Sequence, residues 1–182
     1  MKSMARGLVL ASVAAGSVLG VSICGHSQEQ SAGPPLVTRG RVALNLAGAE
    51  LIISRAREKA VEMKLKVNVA VVDEGGHLLA FARMDQARPA SAPTAITKAT
   101  AAATLRQPTG PVRRGEAEAD VLLNVALQNA AAASGGKMTS LFGGVPVVVD
   151  GQVIGAVGVG GATGEQDAEI ARAGIDALIK QL

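Results

Sequence analysis

Two segments of this chain double back on themselves, and they limit the fold more than anything else in it. VNVAVVD (67–73) is a β-branched run, Glu74-Gly75-Gly76 is a turn, and HLLAFAR (77–83) is a second apolar run. Downstream, GGVPVVVDGQVIGAVGVGG (143–161) repeats the arrangement around Asp150-Gly151. A two-residue Asp-Gly step between Val/Ile-rich runs is a strong hairpin signal, because both turn positions need positive φ, which glycine takes freely and aspartate tolerates. Hairpins pair antiparallel, so a doubly wound parallel sheet is excluded.

Helical patterns surround the two hairpins. Residues 44–66 place Ala49, Ile52, Ile53, Ala56, Ala60 and Met63 on one face, with Arg57, Glu58, Glu62 and Lys64 largely opposite. After a loop containing Pro89, Ser91 is positioned to cap a helix running to about Arg106, with Pro93 in its first turn. That helix, TAITKATAAATL, is almost entirely Ala and Thr, so another backbone can come close to it. A loop broken by Pro108 and Pro111 leads to a third helix over residues 119–133, stopped by Gly135-Gly136. Thr163 and Gln166 form a capping box that opens the last helix. Glu165, Asp167 and Glu169 suit its positive end and Lys180 its negative end, and Ile170, Gly174, Leu178 and Leu182 make its buried stripe. The order helix, hairpin, helix, helix, hairpin, helix predicts an α+β sandwich: a single antiparallel β-sheet flanked by α-helices.

The N-terminus has a different character. Lys2 and Arg6 precede an apolar stretch over residues 8–23, and the small residues Gly25 and Ser27 lead into Gln28-Glu29-Gln30. This is the pattern of an export signal spanning residues 1–27, too short in its apolar part for a spanning helix. Acylation at Cys24 is the lipoprotein alternative, although the bulky Ile23 precedes it. Residues 28–43, with Pro34-Pro35, read as a linker, and residues 44–182 as one domain. The expected location is the periplasm or the exterior. Cleavage near Ser27 leaves no cysteine and one histidine, His77; without Lys2 and Arg6, 16 basic residues face 15 acidic ones.

Composition excludes several functions. With Phe81 and Phe142 as its only aromatic residues, the chain offers no stacking platform for single-stranded nucleic acid. Its near-neutral mature charge gives no electrostatic trap for nucleic acid or anionic membrane; Arg113-Arg114 reads as solvated charge. A disulfide framework or a Cys/His zinc site lacks its ligands. GVGGATG (158–164) has Thr163 where a dinucleotide fingerprint needs its third glycine, and no second strand follows. What remains there is local physics: Gly160, Gly161 and Thr163 bring a strand end to a helix N-terminus whose N–H groups can face an anion.

Other candidates carry two readings each. His77 is a ligand to haem iron or a general base, or else a turn residue facing water. Lys98 and Arg106, eight residues apart on the Ala/Thr helix, hold two carboxylates or are snorkelling surface cations. Met63, Met84 and Met138 line an apolar pocket or fill the core, and the core is the better account; Phe81 and Met84 are also carried as ligand-wall candidates. Glu116, Glu118 and Asp120 read as solvated charge. No nucleophile–base–acid set can be assembled.

The blocks VNVAVVDEGGHLLAFARMDQA, AITKATAAATLRQPT and FGGVPVVVDGQVIGAVGVGGATGEQDAEIARAGIDAL together resemble the GlcG/HbpS haem-binding family, which includes the C-terminal domain of PduO-type cobalamin adenosyltransferases. The resemblance covers residues 44–182. It implies a profilin-like sandwich, homo-oligomers, haem as ligand and, for some members, an accessory role beside a membrane sensor. It also implies that Thr109, in RQPTG, approaches the iron, with Lys98 and Arg106 as propionate partners. A hydroxyl is a weak iron ligand, suited to a protein that releases haem. The sequence departs from common members over residues 111–140. The expected function is therefore an exported haem or tetrapyrrole carrier or sensing accessory, more a binding protein than an enzyme. The alternatives are an enzyme or accessory acting on a small carboxylic acid and a protein-interaction module for a membrane sensor.

Overall fold

The computed structural model describes Thr38, residues 40–113, Gly115 and residues 118–182. The expected signal segment, most of the linker, Arg114 and Glu116 lie outside the described residues. Strand β1 (Asn68–Asp73) is buried on both sides and organises the rest. It pairs antiparallel with β2 (Leu78–Arg83) on one edge and with β4 (Gln152–Gly160) on the other; β3 (Gly144–Val149) closes the order β2-β1-β4-β3. Pro146, which has no N–H for a ladder, lies in the edge strand β3, where sheets tolerate it.

Alternation along β1 divides the core. Val67, Val69 and Val71 face helices α1 (Leu46–Glu62) and α4 (Gly164–Ile179), joining Ile52, Val157, Val159 and Ile170, all fully buried. Burying side chains of this size contributes about 1.5–3 kcal/mol each, which makes this layer the main stabilising one. Ala70 and Val72 face the other way, against Ala95, Ala99, Ala102 and Ala103 of α2 (Ser91–Leu105). On that side α2 lies backbone to backbone on β4: a Cβ at Gly158 would meet the Ala95 carbonyl oxygen and the Ala99 nitrogen. The Ala-rich composition of α2 is the counterpart of this close approach.

Both expected hairpins form. Asp73 Oδ1 accepts from the N–H groups of Gly75 (2.9 Å) and His77 (2.8 Å), and Asp150 and Gly151 both take positive φ. The capping box of α4 forms as read, Thr163 Oγ1 accepting from Gln166 N and Gln166 Oε1 from Thr163 N.

Three details differ from expectation. Helix α1 stops at Glu62, four residues early, because Lys64 takes a left-handed φ of 57° and the N–H groups of Lys64 and Leu65 return to Val61 and Ala60. This is a Schellman stop without glycine. Ser91 does not cap α2; it is the first helical residue, Ala90 occupies the cap, and Ser91 Oγ accepts from Arg88 Nε at 2.9 Å. Leu182 is exposed beyond the end of α4, so the stripe ends at Leu178.

Helix α3 (Val121–Ala133) begins at its cap Asp120 and buries only Ala131. Val121, Leu122, Leu123 and Val125 are all exposed.

Candidate functional site

Lys98 sits on the buried side of α2, opposite the place where β4 ends and α4 begins. Its side chain is buried and points toward that junction. Its ammonium donates to Asp167 Oδ2 at 2.7 Å and to the Val159 carbonyl at 2.8 Å. Asp167 Oδ1 accepts from the Ala162 N–H at 3.1 Å. The residues are 5% and 1% exposed, so this is a true interior ion pair. Burial pushes the Asp167 carboxyl above its ordinary range, outweighing the stabilisation of its charge by Lys98 and the Ala162 N–H.

Glycines fit the neighbouring chain around this pair. Gly143, at φ 113°, passes so near that a Cβ would stand 2.7 Å from Asp167 Cβ and 3.0 Å from Lys98 Nζ. Thr109 is stitched to the next residue: its N–H donates to the Gly144 carbonyl (3.0 Å) and its Oγ1 accepts from the Gly144 N–H (2.9 Å). The Phe142 ring lies against both Gly110 and Gly164, each of which has room only for hydrogen. Together these segments bound an open cavity of about 540 Å³. Its polar lining is Arg88, Ser91, Thr94, Lys98, Ser140 and Asp167; Ala90, Pro111, Leu141, Phe142 and Ala162 form an apolar wall.

Residues 44–176 match the family described as haem-degrading protein HbpS-like. The chain belongs to the HbpS-like family. It is 44% identical to protein GlcG of Escherichia coli K12 over 119 residues, 65% of this chain and 82% of that protein. The fold is similar to that of Klebsiella pneumoniae protein ORFY, with TM-score 0.66 and 31% identity over 80% of this chain and 98% of that one. It is also similar to a PduOC:haem complex, with TM-score 0.60 and 25% identity over 75% and 95% of the two chains.

In this HbpS-like protein the residues singled out from the sequence fall into separate places. Lys98 and Gly161 line the cavity, with Gly160 and Thr163 next to it in the chain. The N–H groups at the α4 end are in part already engaged, by Asp167 and by the capping box. Thr109 is 5% exposed behind Gly110, with its hydroxyl oxygen turned to Gly144. Lys98 is neither a free carboxylate partner nor a surface cation, because its charge is balanced by Asp167. Arg106 is exposed beyond the last residue of α2, in a left-handed conformation.

His77 and Phe81 belong to the first hairpin. The His77 side chain is 81% exposed, and its Nδ1 lies 3.3 Å from Asp73. Burial raises the Asp73 carboxyl, but hydrogen bonds from the His77 and Gly75 N–H groups and the adjacent imidazole outweigh it and hold the group below its ordinary value. Phe81 is partly exposed on edge strand β2, and Met84 is buried in the core, as the core reading expects.

Sequence reasoning missed Arg88 and gave Asp167 the wrong setting. Arg88 stands in a loop without a motif. Asp167 reads locally as a helix-dipole carboxylate, and its partner is 69 positions away. The available signal is Lys98 itself, a lone cation in an Ala/Thr stretch whose small side chains invite a close neighbour.

Proposed function

We propose that this is an exported haem-binding protein, a carrier or haem-sensing accessory, that works as a homo-oligomer. The observation that carries the reading is the cavity. An apolar wall of Pro111, Leu141 and Phe142 faces cationic and hydroxyl groups across about 540 Å³, an arrangement suited to a flat apolar ring with carboxylates at one edge. Family membership and the PduOC:haem relative support the choice of ligand.

The residues present fit the porphyrin plane and its acids better than they fit a strong axial bond. The histidine of the domain is away on the first hairpin, and the polar lining offers hydroxyls from Ser91, Thr94 and Ser140 together with an amine and a carboxylate, Lys98 and Asp167, that are already paired with each other. Haem when bound supplies redox chemistry; this chain's contribution is to hold and release it. Helix α3 supports assembly: from Val121 to Gly136 it carries no charged residue, and its apolar side chains are uncovered in the single chain.

Titration of the mature chain with micromolar haem is the test. A saturable Soret shift is expected, weakened about tenfold, or 1.4 kcal/mol, in Phe142→Ala and unchanged in His77→Ala. Thr109→Ala, whose hydroxyl is turned to Gly144, is expected to lower thermal stability more than haem affinity. Absence of any Soret shift overturns haem binding. Loss of the shift in His77→Ala alone moves the site to the first hairpin and overturns the cavity as its seat.

A further inference from the structure

We infer that the polar side of this cavity is a carboxylate subsite and that Arg88 is its selecting residue. The charge inventory leads there. Two cations and one carboxylate line the cavity, and each oxygen of the carboxylate is already engaged: Asp167 uses Oδ2 on Lys98 and Oδ1 on the Ala162 N–H. The Lys98 ammonium has three N–H donors and spends two, on Asp167 and Val159, leaving one.

Arg88 is less committed still. Of its five guanidinium donors only Nε is engaged, on Ser91 Oγ; Asp167 feels its charge, but among the described residues no acid stands within ion-pair distance of it. That single bond orients the planar fork while leaving its two terminal nitrogens for a bidentate partner. A carboxylate matches both the net positive charge of the lining, two cations against one acid, and that geometry. The apolar wall of Leu141 and Phe142 suits an organic acid better than a bare inorganic anion.

The carboxylate has two chemical sources, a propionate arm of haem or a free small organic acid. For the first the inference rests on the haem reading above; for the second it stands independently. The experiment therefore has two arms, run on the mature chain, Arg88→Gln and Arg88→Lys after matching their thermal melts. In the first arm, succinate and its neutral diamide are titrated calorimetrically. In the second, haem and haem dimethyl ester are titrated by the Soret band.

A propionate subsite predicts at least tenfold weaker haem binding in Arg88→Gln, partial recovery in Arg88→Lys and no change for the dimethyl ester. A free-acid subsite predicts succinate binding that is lost in Arg88→Gln and never seen with the diamide. Arg88-dependent succinate binding without any haem binding keeps the subsite and removes the haem function. Wild-type affinity of Arg88→Gln for both acids, or no binding of either acid by the wild type, overturns the inference.

Discussion

At the scale of single residues, the Lys98–Asp167 pair is the costliest commitment in the domain. Two charges leave water here, and their attraction repays that only because Val159 and Ala162 complete the hydrogen bonds. Asp167→Asn leaves a buried ammonium without its counter-charge, and Lys98→Met leaves a buried carboxylate. Each single variant is expected to lose about 3–5 kcal/mol in urea unfolding. The double variant Lys98→Met/Asp167→Leu is expected to lose far less than the sum, since no uncompensated charge remains. Additive losses would show that the two groups are stabilised separately.

At the scale of elements, the contact between α2 and β4 sets where the cavity lies. Gly158 faces the backbone of α2 itself, so an added methyl meets a carbonyl that belongs to the helix and has nowhere to move. Gly158→Ala is expected to destabilise the domain by about 3 kcal/mol or more, at the upper end for overpacking. Denaturant midpoints measured beside Gly151→Ala, which meets no neighbour and carries only the smaller strain of a side chain at positive φ, check this; equal losses would place α2 farther from the sheet than it is here. The same contact explains why α2 contains alanine where α1 and α4 carry isoleucine and leucine. A backbone-to-backbone layer has no volume for larger side chains.

At the scale of the whole molecule, α3 stands apart. It is uncharged and, apart from Asn124, Gln128 and Asn129, apolar, yet it buries one residue, Ala131. A helix of that composition is normally interior, and the homo-oligomer proposed above gives it an interior. Leu122→Glu, at the most exposed of its large apolar positions, is expected to shift sedimentation toward the monomer without lowering the melting temperature of the fold. An unchanged sedimentation coefficient would locate the assembly surface elsewhere.

The local devices of this fold were legible without coordinates. Asp150-Gly151, the Thr163–Gln166 box, the apolar face of α1 and the Gly135-Gly136 stop each state their structure within a few residues, because turn stereochemistry and helical period act over that distance. The family was legible for the same reason, as its blocks are continuous in the chain. The Schellman stop at Lys64 was not, since a lysine in a left-handed conformation leaves no local signature.

The candidate site is the opposite case. Lys98 is legible as a candidate, but Asp167 reads locally as a helix-dipole charge, Arg88 carries no motif, and His77, Arg106 and Phe81 do not line the cavity. Whether a side chain faces a neighbour or water depends on which strands pair, in what register, and which helix covers which face. Those are contacts across dozens of residues, set by the β1–β4 pairing and the seating of α2. The elements, their turns and their class follow from local stereochemistry and periodicity in the chain. Which charges meet follows from the folded core, because burial and pairing exist only once it has assembled.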